Sequence, residues 1–524
     1  MPLIPILATR FEPALTWVSN HRYILLVFGL LLQVLTFTLQ GLWVEDFWEH
    51  SAAVGEFMRH PLNPSHPQLN LIAPHTFLNP YTFFVALIAS LFGLSSITAL
   101  SIVGVFNFCL FCYGLHAFIS NFCQSKDDTS KVSFYALLFI LFLWGGQPWP
   151  YSGFFSYQIF LFNLPYPSTF IGGLSLLTLG FTGRHHAALQ PLQWLVLTII
   201  ISLCLLTHPL TAQFLVLGVI AQALGAQNNT TTRVFKIAIT CGLAVALASL
   251  WPFYPFLALL RGAGTVYDLS NGTMYHHFIE RIWPFIALSP LITWAIIQRQ
   301  NRVLLFIFLS TILVYLFGLY THKYSYGRII SYTVIIAQIC CAIVAIQAEE
   351  LLDKLHVRAL TLYQTVLVCL LVFFSFEAIN TASTRLLSAA NSVRLGRAVF
   401  SEALYKDYNF IPAYVPAGST VFANLEVSWR LPSFDTKIVA AKHPLAFVPD
   451  AEQRRQDVAL FFAEGTTSAA RLALLTKYRA DYVLIDKTLD HDWQQLSRQV
   501  SQATHATMQF EDHRFVLLAV KTAN

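Results

Sequence analysis

Apolar runs separated by short polar or aromatic links occupy the chain as far as about residue 380, after which the pattern becomes the mixed alternation of a water-facing fold. Crossing ~30 Å of hydrocarbon takes a helix of roughly 17 to 25 residues. Eleven segments approach that length: 23–43, 97–120, 132–147, 168–183, 190–207, 209–225, 234–258, 282–298, 303–320, 329–348 and 359–380. The pattern predicts a mainly α, polytopic membrane helical bundle of about eleven spans. The first run is too long for a signal-peptide core and has no small-residue cleavage pattern behind it, so it reads as a retained anchor.

Between the first two spans, residues 45–60 place Phe47, Val54 and Met58 on one helical stripe and Glu45, Glu49, Glu56 and His60 on another. That is the pattern of a helix lying in the membrane interface. A Pro-rich turn at 61–67 follows. The run Pro80 to Leu94 is apolar but short for a span, which predicts a second interfacial or re-entrant helix. Near the C-terminus, strands are expected at 420–424, 437–441 and 481–486, helices at 454–464 and 468–478, and a strand pair over 508–521. The chain thus reads as a transmembrane domain, 1–398, and an α/β domain, 399–524, long enough to hold its own core.

Composition agrees. Of 524 residues 56% are hydrophobic and only 11% charged, with 44 Phe, which excludes an ordinary soluble protein. Lys and Arg outside the spans fall eleven on the side of the N-terminus and five on the other. By the positive-inside rule the N-terminus is cytoplasmic, and the first loop and C-terminal domain are extracytoplasmic. The net charge of +5 is largely these inner-loop cations and gives no sign of a nucleic-acid partner.

Candidate chemistry begins at Glu45 and Asp46, immediately after the first span. Carboxylates near a bilayer are costly unless they face water, a partner or a substrate. Asp46 is the first candidate for a catalytic base and Glu45 the second. On a helix the two point about 100° apart, so only one would face a donor. His50, one turn on, either holds Asp46 ionised, binds an acceptor or forms a surface ion pair. Arg328, at the entry to a span, is the candidate for a donor phosphate, with Lys323 and Tyr326 beside it, because guanidinium presents a planar fork to phosphate oxygens. The alternative for Arg328 is a snorkelling anchor. Asp268, Tyr275, His276 and Glu280, in the loop between Arg261 and Arg281, are candidates for ligand binding. The histidines at 50, 60, 66 and 75 have no i, i+4 pair and match no standard zinc site. Catalysis with no metal and catalysis with a divalent cation on the Glu45-Asp46 pair both stay open.

With these residues in place the layout resembles the GT-C type integral-membrane glycosyltransferases, the superfamily of the protein mannosyltransferases and the aminoarabinose transferase. The likeness is carried by Glu45-Asp46, the helix after it, Asn79-Pro80-Tyr81 leading to Phe92-Gly93-Leu94, and the outer C-terminal domain. The stretch from Trp429 through Lys442-His443-Pro444 to Lys477-Tyr478 is similar to C-terminal regions of bacterial members. The resemblance implies a multi-pass protein of a bacterial inner membrane that takes sugar from a polyprenyl-phosphate-linked donor, with one carboxylate as base and an inverting displacement. The acceptor is a glycan, lipid or protein, and the resemblance makes Asp268, Tyr275, His276 and Glu280 candidates for sugar or acceptor binding. This chain has Glu-Asp where Asp-Glu is commoner, and no DxD there, so metal dependence is left open. The competing readings are a flippase of a lipid-linked saccharide and an oligosaccharide polymerase or ligase.

Overall fold

The computed structural model describes residues 4–41, 43, 45–146, 148–185, 189–225, 230–298, 302–355, 362–366, 369, 407–490 and 492–520. Contacts divide the chain into two compact units, one of 1–40, 104–248 and 268–399, the other of 41–103, 249–267 and 400–524. The expected domain boundary at 398/399 lies outside the described residues, as does the expected eleventh span, 359–380, apart from 362–366 and 369.

Among the described residues five helices are long and apolar enough to cross a membrane: His21–Leu39, Ser96–Ile119, Thr230–Ala248, Arg302–Tyr320 and Tyr324–Leu352. The segment expected as one span at 282–298 is a pair, Phe278–Ala287 and Ser289–Ile297, bent by 52°, which makes a sixth if it crosses as one. Pro284 lies in its first half and removes a helical N–H, a common cause of such bends. The expected spans at 190–207 and 209–225 are helices of 17 residues each, Pro191–Thr207 and Pro209–Gly225. At 1.5 Å per residue these reach only ~25 Å. Among the described residues, then, five helices, or six with the bent pair, meet the length and composition of a crossing, and the two 17-residue helices fall at the short end of that range.

In the first unit small residues bring helices together. A Cβ on Gly173 would lie 2.9 Å from the backbone N of Phe111, and one on Gly180 2.6 Å from the carbonyl carbon of Ala117. Pro167–His185 therefore packs backbone to backbone on Ser96–Ile119, the close approach that small residues allow in membranes. Buried amides tie other helices: Gln338 Nε2 donates to Phe139 O at 2.9 Å and Leu143 O at 3.0 Å. The Tyr324–Leu352 helix is 94% buried in protein, whereas only 22% of His21–Leu39 is covered. An all-round apolar helix of the first kind is a core helix.

The second unit contains the helix Phe47–Arg59, the helix Pro80–Phe92 and a five-stranded sheet. Pro80–Phe92 is set by local signals: Asn79 and Thr82 form a capping box, Pro80 occupies the first turn, and Gly93 ends the helix at φ 63°. The strands are β1 (Thr420–Ala423), β2 (Lys437–Ile438), β3 (Tyr482–Asp486), β4 (Thr507–Glu511) and β5 (Phe515–Ala519). Their order is β2-β1-β3-β5-β4, with β1 parallel to β2 and β3, and β5 antiparallel to β3 and β4. Phe422, Val483, Ile485, Val516 and Leu518 form a core with Val458, Phe461, Leu475, Leu496 and Val500.

Two details differ from expectation. Of 437–441 only two residues are strand. The helix Trp493–Thr504 carries a weak sequence signal, since only Trp493, Leu496 and Val500 mark its apolar face. Segment 65–70 joins the edge of the sheet: Ile438 N donates to Gln68 O at 2.8 Å, and Asn70 Nδ2 to Thr420 Oγ1 at 2.9 Å.

Candidate active site

Of the stripe expected to face water or lipid headgroups, Glu45 and His60 are exposed, but residues Phe47 to Phe57 are all buried, so Glu49 and Glu56 are covered within the second unit. Two C-terminal cations do this. Lys437 Nζ reaches Glu56 Oε2 at 2.8 Å, Ser65 Oγ at 3.0 Å and His66 O at 2.6 Å. Burial alone would raise the Glu56 carboxyl, but Lys437 and the Ser65 hydrogen bonds overcome it and hold it at about 2. Burial pulls Lys437 down while Glu56 pulls it back, the balance of a paired internal charge.

The second cation is His443. Its Nδ1 lies 2.9 Å from Glu49 Oε1 and 3.7 Å from Asp46 Oδ1, and the edge of Trp429 closes one side, with ring centroids 5.5 Å apart. Burial disfavours the imidazolium, but Glu49, Asp46 and Glu45 together raise His443 to about 9. The Glu49 carboxyl is held below its usual range in spite of burial, chiefly by His443. Sequence reasoning missed Glu49 as a site residue, since it read as one of a solvated stripe. His443 was visible only through the resemblance.

Asp46 occupies the N-cap of Phe47–Arg59 and does not cap it with its side chain, which is 39% exposed. The N-terminal end of the helix dipole favours a carboxylate there. Glu45 is exposed and holds φ 52°, outside the helix. The two carboxylates are therefore separated by a backbone turn rather than by a helical step of about 100°. His50 forms no surface ion pair: burial drives it down to about 3, so it is neutral, and its ring lies tilted against Phe77 at 4.2 Å. His443 Nδ1 stands 3.7 Å from Asp46.

In the first unit, Arg328 Nε donates to Asn271 Oδ1 at 2.9 Å and its Nη1 to Ser152 Oγ at 2.8 Å, with the guanidinium over the ring of Tyr151. Asp268 Oδ1 accepts from Ser325 N at 2.8 Å, so Asp268 positions the turn Tyr324–Ile329 that carries Arg328. Gly327 makes that turn possible, because a Cβ would lie 2.9 Å from both Met274 Cβ and Tyr275 Cε2. Tyr275 donates to Tyr315 O at 3.2 Å, and Tyr326 packs edge-on against Phe317. Lys323 and His276 are exposed, and Glu280 pairs with His277 at the surface. The structure thus joins Arg328, Asp268 and Tyr275 in one neighbourhood, while Lys323, His276 and Glu280 project outward.

Asp46, Glu49 and His443 also bring two carboxylate oxygens and one imidazole nitrogen within 4.8 Å of one another, a donor set that fits a divalent cation. His443 must lose its proton to serve as a ligand.

The fold is similar to that of solved GT-C glycosyltransferases. ArnT from Cupriavidus metallidurans, bound to undecaprenyl phosphate, matches with a TM-score of 0.54 at 12% identity, over 95% of this chain and 98% of that one. The oligosaccharyltransferase of Archaeoglobus fulgidus in its apo form matches with a TM-score of 0.50 at 12% identity, over 90% of this chain and 70% of that one. At such identity the likeness is one of fold. No protein-family model matches the sequence. No curated protein matches it either.

Proposed function

We propose that the protein is an integral membrane glycosyltransferase that moves a sugar from a polyprenyl-phosphate-linked donor to a glycan, lipid or protein acceptor on the extracytoplasmic face. The observation that carries this reading is Asp46: a half-exposed carboxylate at a helix N-terminus, beside the His443 imidazolium and the buried Glu49, in a GT-C fold. Asp46 takes the acceptor proton as the acceptor oxygen forms its bond to the anomeric carbon. The bond from that carbon to the phosphate oxygen breaks, and polyprenyl phosphate leaves with the electron pair, inverting the centre. Within the first unit, Arg328, fixed by Asn271 and Ser152, is a candidate to bind the carrier's phosphate. ArnT's bound undecaprenyl phosphate supports a carrier of that chemistry. Where a divalent cation is bound, Asp46, Glu49 and His443 hold it, and it supplies positive charge to oxygens that gain negative charge.

The test is to purify the protein in nanodiscs and mass-analyse the copurifying lipid in wild type and in Asp46→Asn. Enrichment of a sugar-loaded carrier in the variant supports the transferase. Passage of lipid-linked saccharide across vesicles, unchanged by Asp46→Asn, sinks it in favour of a flippase.

A further inference from the structure

The order β2-β1-β3 sends the chain leaving β1 to one side and the chain leaving β3 to the other. In open α/β sheets this divergence leaves a crevice at the carboxyl ends of the strands, and ligands bind there. Such a crevice is present. It has a volume of about 530 Å³, with Asn424 and Leu425 following β1 on one wall, and Leu489 and Asp490 following β3 on the other. That size suits a small-molecule site.

The lining selects the ligand's chemistry. Glu464, Asp490 and Asp492 face a single cation, Arg471. Its guanidinium is already committed, donating to Phe461 O at 2.8 Å, Thr466 O at 2.7 Å and Ala463 O at 2.9 Å. A phosphate or nucleotide would meet net negative charge, and the sequence offers no Gly-rich phosphate loop. Nor do these acids converge on a cation: among the described residues the metal-holding group is Asp46, Glu49 and His443. What remains is Asp492 and Gln495, an exposed carboxylate and planar amide able to bond paired hydroxyls, beside Asn424, Asp490 and Gln499, which already bond one another, Asp486 N, Glu426 N and Arg471. Phe462 and Leu489 present apolar surface among them, as C–H faces of a sugar ring require.

We propose that this crevice is a saccharide-binding site built from residues other than Asp46, Glu49 and His443. Its binding chemistry stands on the lining alone; only its use, to hold an acceptor glycan, rests on the transferase reading.

The experiment is saturation-transfer NMR on the full chain in nanodiscs with glucose, galactose, mannose, N-acetylglucosamine and glucosamine as probes. At least one is expected to receive saturation from the wild type. Ala459→Trp, at an exposed helical position lining the crevice, and the exposed double substitution Asp492→Ala/Gln495→Ala are each expected to weaken binding about tenfold or more. Asp46→Asn keeps it. Thermal melts identify a misfolded variant; if Ala459→Trp misfolds, the double substitution decides. The site is overturned if no probe receives saturation, or if the signal survives the crevice substitutions. It is also overturned if Asp46→Asn alone removes the signal. Because binding is read without turnover, loss of the transferase reading leaves this result standing.

Discussion

His443 Nδ1 lies 2.9 Å from Glu49 Oε1 across a sequence separation of 394 residues. Glu49 is 4% exposed, so its charge has little water to lean on and depends on the imidazolium. The same ring reaches Asp46. A segment near the end of the chain therefore sets the electrostatics of a carboxylate near its beginning.

Asp46→Asn is expected to lower transfer by about 100-fold or more, the usual range for a lost general base. Its thermal midpoint should stay near that of wild type, since the side chain is half-exposed and caps nothing. Transfer from a radiolabelled polyprenyl-phosphate sugar and a melting curve check both halves. A fall in stability parallel to activity would assign Asp46 a structural role.

Removing His443 strands Glu49. We expect His443→Gln to cost about 3 kcal/mol of stability, with Glu49→Gln restoring part of it in the double variant. Denaturant titration of the four proteins gives the coupling energy, and strict additivity would refute the pairing.

Lys437→Met leaves the Glu56 carboxylate buried with the weaker company of Arg59 and His60. The expected loss is about 3–5 kcal/mol. Glu56→Gln in that background should recover a measurable part, because the charge goes while the hydrogen bonds of Ser65 keep an acceptor.

Acid should loosen the second unit in two stages. His66 is neutral because burial holds it well below 6.5, and its Nδ1 accepts from Gln68 N and Leu69 N. Below 6.5 the unfolded chain takes up this proton first, so folded stability declines from there downward. Glu56, lowered from 4.5 to about 2, contributes stability that is full above 4.5 and lost as pH falls through about 2. Tryptophan fluorescence against pH, with Glu56→Gln removing the lower stage, is the measurement.

Arg328→Ala should raise the donor KM by about tenfold or more, and Arg328→Lys should recover little, because lysine lacks the fork that meets Asn271 and Ser152 together. Steady-state kinetics with donor and acceptor varied separately checks this. A change confined to the acceptor KM would remove Arg328 from the phosphate.

Segments whose signals are local were legible in the sequence. Pro209–Gly225 and Ser96–Ile119 follow from apolar length, and Pro80–Phe92 from Asn79, Pro80 and Gly93. The helical membrane fold class followed from the succession of apolar runs. Tertiary structure alone decided which charges are paired. Glu49 and Glu56 look like any solvated helix stripe until Lys437 and His443 are placed on them, and His50 looks like a partner for Asp46 until burial neutralises it. Helical periodicity is written into consecutive residues. Burial and charge pairing depend on contacts between segments nearly 400 residues apart, and no local pattern encodes those.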